Sequence, residues 1–179
     1  MLIPNEAVDR MLTASWTYVE GVIARHGAVS DDADGEWFER FWHQGPDKWR
    51  LELSSDLTYV SDGRTGMIAA EGRVLNRGRP RIPTGFSAEH ILYPGRAPLW
   101  RWTGDVGWSM QLDEAVRTDA GMHIPLLDGE GGDGELLVAL PEGYLKCQRL
   151  RNDTYRVEEL PTEPGPGTVL PSIFDRYLR

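Results

Sequence analysis

The chain has 179 residues and a formal charge of −9, from 28 acidic against 19 basic residues, which fits a single domain, 1–179, with room for a real core. No segment clusters lysine and arginine densely enough to displace counterions from a phosphate backbone, so no nucleic-acid partner is expected. The single cysteine, Cys147, excludes an internal disulfide and a cysteine metal cluster and is expected as a small buried side chain in a reducing compartment. The start, Met1-Leu2-Ile3-Pro4-Asn5-Glu6, shows neither a basic nor an apolar leader region. No run approaches the roughly 18 apolar residues of a membrane span. The expectation is a soluble, cytoplasmic protein.

Asn5 caps a short helix, with Glu6 and Asp9 in its first turns and Val8, Met11 and Leu12 on one stripe. From Trp16 to Gly72 the chain reads as an antiparallel meander carrying four of the seven tryptophans. Trp16 to Ala24 alternates, with Trp16, Tyr18, Val22 and Ala24 on one side. Glu36 to Gln44 sets Trp37 and Phe41 against Phe38 and Trp42, so this strand is covered on both sides or borders a cavity. Gly45-Pro46-Asp47 turns into Trp49-Arg50-Leu51-Glu52-Leu53, the clearest period-two pattern in the sequence. Leu57 to Ser61 leads into Asp62-Gly63, a tight hairpin turn, and Thr65 to Arg73 is its partner strand. Five strands joined by short turns can only be antiparallel, because a parallel return needs a crossover of a dozen or more residues.

Ten of the twelve prolines lie from Pro80 onward, where shorter elements are expected. Arg77 to Pro83 is a loop, and Ser87 caps a brief helix through Leu92 that Pro94 ends. Leu99, Trp100, Trp102 and Trp108 form an aromatic cover, and Asp113 to Thr118 makes a helical turn. Glu135 to Leu140 is a strand, Tyr144 to Arg151 and Tyr155 to Leu160 pair across Asn152-Asp153, and Pro161 to Gly167 is a rigid coil. The tail, Val169 to Leu178, returns Ile173, Phe174 and Tyr177 to the body.

Catalytic signals are weak. Asp31, Asp32, Asp34 and Gly35 match the start of a calcium loop, but alignment on the glycine puts Ser30 first and Phe41 last, where a bidentate glutamate belongs, and an acidic hairpin loop is favoured. Gly129-Glu130-Gly131-Gly132-Asp133-Gly134 has the spacing of a dinucleotide fingerprint. A strand-like run follows it instead of a helix, and Glu130 and Asp133 would repel phosphates, so a flexible acidic hairpin loop is expected. His26, His43, His90 and His123 share no ligand spacing, although His43 near Asp47 or Asp62 could serve as a base assembled by the fold. Neither cofactor nor metal is implied.

In its order of elements the chain resembles the LolA-like half-barrel superfamily of outer-membrane lipoprotein carriers and sigma-factor regulators. The residues are Val60-Ser61-Asp62-Gly63-Arg64, similar to a turn of that superfamily, Val138 to Gln148 with Gly143-Tyr144-Leu145, similar to its late hairpin, and Val169 to Phe174, similar to its closing segment. The resemblance implies an α+β, mainly β fold, a curved antiparallel sheet (half-barrel) wrapped around short helices, with an apolar cavity for acyl chains. It implies no catalytic motif. The expected function is non-enzymatic binding of a lipid or other apolar small molecule, with Trp37, Phe41, Trp49, Leu51 and Tyr59 as candidate cavity residues or plain core. A module that binds a protein partner is the second expectation and an enzyme the third. If Ile91, Leu92, Trp100 and Trp102 fill the cavity, an external patch becomes the functional surface.

Overall fold

The computed structural model describes residues 4–26, 37–82, 86–96, 107–151, 153–160 and 162–163. The chain divides into two compact units. One, here the meander unit, comprises Trp16–Ala24, Glu36–Ala88 and Val157–Arg179; the other, the hairpin unit, comprises Met1–Ser15, Arg25–Gly35 and Glu89–Arg156.

Alternation builds the meander unit. Strands β1 (Tyr18–His26), β2 (Trp37–Gln44), β3 (Lys48–Leu53), β4 (Leu57–Asp62), β5 (Gly66–Ala70) and β6 (Arg73–Gly78) lie side by side in sequence order. The last two residues of β1 belong to the hairpin unit. From β2 to β6 each pairs antiparallel with the next, as short connections require. The Asp62-Gly63 turn is as expected: Gly63 takes φ +87, and the Asp62 carboxylate accepts the N–H groups of Arg64 and Thr65, both at 2.7 Å. These N–H bonds hold its carboxyl below the usual carboxylate range.

The expected strand from Thr65 to Arg73 is two strands. Glu71 and Gly72 both take positive φ, 49 and 72, the pattern of a type I′ turn, and Ala70 then faces Arg73. The chain doubles back as β6, where a loop was expected from Arg77. A register shift between Ile68 and Ala69 leaves Leu75 as an extra residue in β6.

The hairpin unit carries α1 (Pro4–Thr13), most of α2 (Ala88–Leu92), β7 (Ser109–Met110), a 3-10 turn at Leu112–Glu114, β8 (Val116–Thr118), β9 (Gly121–Leu127), β10 (Asp133–Val138), β11 (Leu145–Leu150) and the first part of β12 (Asp153–Glu159). Its spatial order is β12-β11-β10-β9, with β7 and β8 both on the far side of β9. Helix α1 buries Ala7 and Met11, one turn apart, while Leu12 is 61% exposed and stands off the expected stripe. Strand β9 escaped the sequence because Pro125 interrupts it. That proline sits between the residues paired to β7 and those paired to β8, and its carbonyl accepts the Gln111 N–H at 2.9 Å. At Gly121, φ is +142 and a Cβ would collide with the Val138 carbonyl, so only glycine fits this start of β9.

The fold is α+β, mainly β, with antiparallel pairing, as the sequence implied. Among the described residues no helix is long and apolar enough to cross a membrane. Leu99, Trp100, Trp102, the Asp31–Gly35 loop, Asn152 and the tail from Val169 lie outside the described residues.

Leu51 has no exposed surface and sits in β3 between β2 and β4. Leu51→Ala is therefore expected to lower unfolding stability by about 2 to 5 kcal/mol, read from a urea midpoint at unchanged m-value. An unmoved midpoint would make β3 peripheral.

Candidate functional site

The candidate site is one face of the β2–β4 sheet. Along β2 the side chains of Glu39, Phe41 and His43 share a face by the two-residue period, and all three have 0% exposure. Register extends this face sideways in rows. Phe41 pairs with Leu51, Leu51 with Tyr59 and Tyr59 with Ile68; one step along, His43 pairs with Trp49, Trp49 with Ser61 and Ser61 with Gly66. Of the five residues singled out from the sequence, Phe41, Trp49, Leu51 and Tyr59 thus lie in two adjoining rows, with exposures of 0, 5, 0 and 2%. Trp37, the first residue of β2, is only half-buried. Phe86 lies against this face, its ring centroid 6.2 Å from that of Tyr59.

Three polar groups share this apolar surface. The Glu39 carboxylate accepts the N–H of Ser87 at 2.5 Å and of Ala88 at 3.1 Å, where α2 begins. Ser87 was expected at the start of that helix, and the N–H groups there are met by a carboxylate from a strand 48 residues earlier. Burial pushes the Glu39 carboxyl up from an ordinary 4.5 to about 7, while the Ser87 and Ala88 N–H groups and the Ser87 hydroxyl pull the other way. His43 Nδ1 lies 3.1 Å from the Lys48 carbonyl, which can only accept, so Nδ1 carries the proton. The His43 ring also stacks on Trp49 at 3.8 Å. The Ser61 hydroxyl donates to the Asp47 carbonyl at 3.1 Å and accepts the Gly63 N–H. His43 is thereby set as a packed, oriented ring, and the backbone rather than the carboxylate of Asp47 meets this cluster.

The opposite face explains the second set of aromatics on β2. Arg50 lies over Trp42 at 5.4 Å and pairs with Glu52, and Arg40 lies over Phe38 at 5.7 Å. Arginine stems and guanidinium planes cover rings that would otherwise be wet. An open depression of about 580 Å³ lies on this side, lined by Phe38, Arg40, Glu52, Asp56 and Glu71 among others. Its lining is mainly polar, the reverse of an acyl-chain site.

In the hairpin unit the glycine-rich stretch closes the β9–β10 turn. Asp128 accepts the N–H groups of Glu130 and Gly132, at 2.9 and 2.6 Å, and the Arg151 guanidinium at 2.8 Å. The amides a phosphate would need are already taken, and the loop is pinned rather than free. Burial would raise the Asp128 carboxyl, but the Gly132 N–H, Arg151 and the Glu130 N–H outweigh it and hold it low. Asp133 and Glu135 pair with Arg149, and Glu135 accepts from His123 Nε2 at 2.8 Å. Cys147 is half-buried, and burial pushes its thiol up. Among the described residues no group of three or more His, Cys, Asp or Glu could hold a metal ion.

No protein-family model matches the chain, and no curated protein does. Solved structures similar to it include MucB, with 11% identity over 92% of this chain and a TM-score of 0.44. They also include the Pseudomonas aeruginosa MucA/MucB complex, with 13% identity over 91% of this chain and a TM-score of 0.40. The LolA superfamily protein NE2245 from Nitrosomonas europaea shares 9% identity, over 93% of this chain and 96% of its own length, with a TM-score of 0.44. The chain spans 60% of the MucB chain and 56% of the chain matched in the complex.

The raised carboxyl gives this site a pH signature. Between about 4.5 and 7 the folded state keeps the Glu39 proton that the unfolded chain releases, so this contribution is full below 4.5 and is lost as pH rises through 7. The loss is about 3 kcal/mol for a shift of this size. Asp62 and Asp128, held low, act in the opposite sense and only as pH falls below the ordinary aspartate value of 3.8. Melting temperature is therefore expected to fall from pH 5 to 7.5, and Glu39→Gln to flatten that slope. An equal slope in the variant would place the titration elsewhere.

Proposed function

We propose that the chain binds an apolar or amphipathic ligand of the acyl-chain kind without catalysing a reaction, using the face formed by Trp37, Phe41, Trp49, Leu51 and Tyr59. The observation that carries this reading is the cross-strand row Phe41–Leu51–Tyr59, whose cover at Tyr59 is Phe86, a side chain from outside the sheet. A face closed by a separate segment can exchange that segment for a ligand, which a face closed by another strand cannot do without breaking a ladder. Half-buried Trp37 marks the end of β2 at which a ligand would enter. The sequence resemblance to acyl-chain carriers supports the same reading.

Binding of this kind stabilises the native state by RT ln(1 + [L]/Kd), about 2.7 kcal/mol at a hundredfold excess over Kd. Native mass spectrometry with a panel of fatty acids and phospholipids should show a one-to-one adduct, with a rise in Tm and a shift in tryptophan emission. Phe86→Ala, which thins the cover, should lower the Tm of the free protein and raise lipid occupancy. No adduct and no thermal shift with any lipid would retire the proposal.

A further inference from the structure

Arg73 to Arg81 reads RVLNRGRPR, four arginines and no acidic residue in a chain of formal charge −9. Its first six residues form β6, and every one of them is exposed, including Val74 at 59% and Leu75 at 62%. One side of β6 is paired to β5; among the described residues no strand pairs with the other. An unpaired strand edge presents N–H and C=O groups to any extended chain that comes alongside. Two neighbouring exposed aliphatic side chains give such a chain apolar surface to cover.

Charge selects what can dock there. Antiparallel self-pairing of β6 about Leu75 would set Arg73 of each copy against Arg77 of the other, like charges directly opposed at two positions. A strand carrying carboxylates reverses both contacts, and Arg79 and Arg81 extend the favourable field beyond the end of β6. We propose that β6 is a docking edge for an extended acidic segment of another protein, which adds a strand beside β6 and covers Val74 and Leu75. The same arginines that keep two copies apart attract this partner. The proposal is independent of the acyl-ligand reading, which uses β2, β3 and β4.

The test titrates the full chain with three fluorescently labelled probes: a short peptide alternating Glu with Val or Thr, the same peptide with Lys for Glu, and oligothymidylate. The acidic peptide is expected to saturate, to weaken as salt is raised, and to shift the backbone amide resonances of residues 73–78. Arg73→Glu with Val74→Glu, on an exposed edge strand, should leave the unfolding midpoint nearly unchanged and weaken the peptide by about tenfold or more. Equal binding of the lysine peptide, tighter binding of oligothymidylate, failure of the acidic peptide to saturate, unchanged affinity in the double variant, or amide shifts confined to other strands would each overturn the proposal.

Discussion

A carboxyl group with no exposed surface has to find hydrogen-bond donors inside the protein, and in Glu39 that requirement ties together much of the meander unit. The donors are the N–H groups of Ser87 and Ala88, at the start of a helix where such groups lack intrahelical partners. One side chain thus satisfies two orphan donors and fixes where the 86–88 segment meets the sheet. Because strand alternation is rigid, burying Glu39 also buries Phe41 and His43. Register carries the consequence to Leu51, Tyr59, Trp49 and Ser61. A slip of one residue in β2 would expose all three buried side chains and bring Phe38, Arg40 and Trp42 inward.

The two faces of this sheet solve the same problem by different means. Inside, aromatic rings pack on aliphatic side chains and on Phe86. Outside, Phe38 and Trp42 lie under arginines, so aromatic residues at consecutive and alternating positions of one short strand need no second hydrophobic layer. That arrangement leaves the outer face polar, and among the described residues of this unit the exposed large aliphatic side chains are Val74 and Leu75 of β6, at the edge. An apolar inner face with Phe86 against Tyr59 and a basic outer edge are two chemically distinct surfaces on one meander.

Glycines and acids in the hairpin unit serve structure. Gly121 exists because a Cβ would strike the Val138 carbonyl, and Asp128 gathers the amides of Glu130 and Gly132 and the Arg151 guanidinium into one turn. The spacing that matches a nucleotide fingerprint is satisfied internally, by a carboxylate where a phosphate would have been.

The sequence by itself determined the elements whose signal is local. Alternation in Trp49 to Leu53, the Asp62-Gly63 turn, the brief helix ending before Pro94 and the late hairpin all follow from side-chain period and turn chemistry over a few residues. The antiparallel, mainly β class follows from them, because short connections forbid parallel returns. The period of two also put Trp37 with Phe41, and Trp49 with Leu51, on one side of their own strands, while cross-strand register joined Phe41, Leu51 and Tyr59 into one row. The sequence could not place Glu39, since a glutamate between aromatics reads as a wet position until a helix start 48 residues away supplies its donors. Nor could it see β6 or β9: one begins after a Glu-Gly turn in which a non-glycine residue takes positive φ, and the other contains a proline tolerated only because of where β7 and β8 end. Those decisions belong to tertiary structure, because each depends on which distant backbone group arrives to donate, accept or make room.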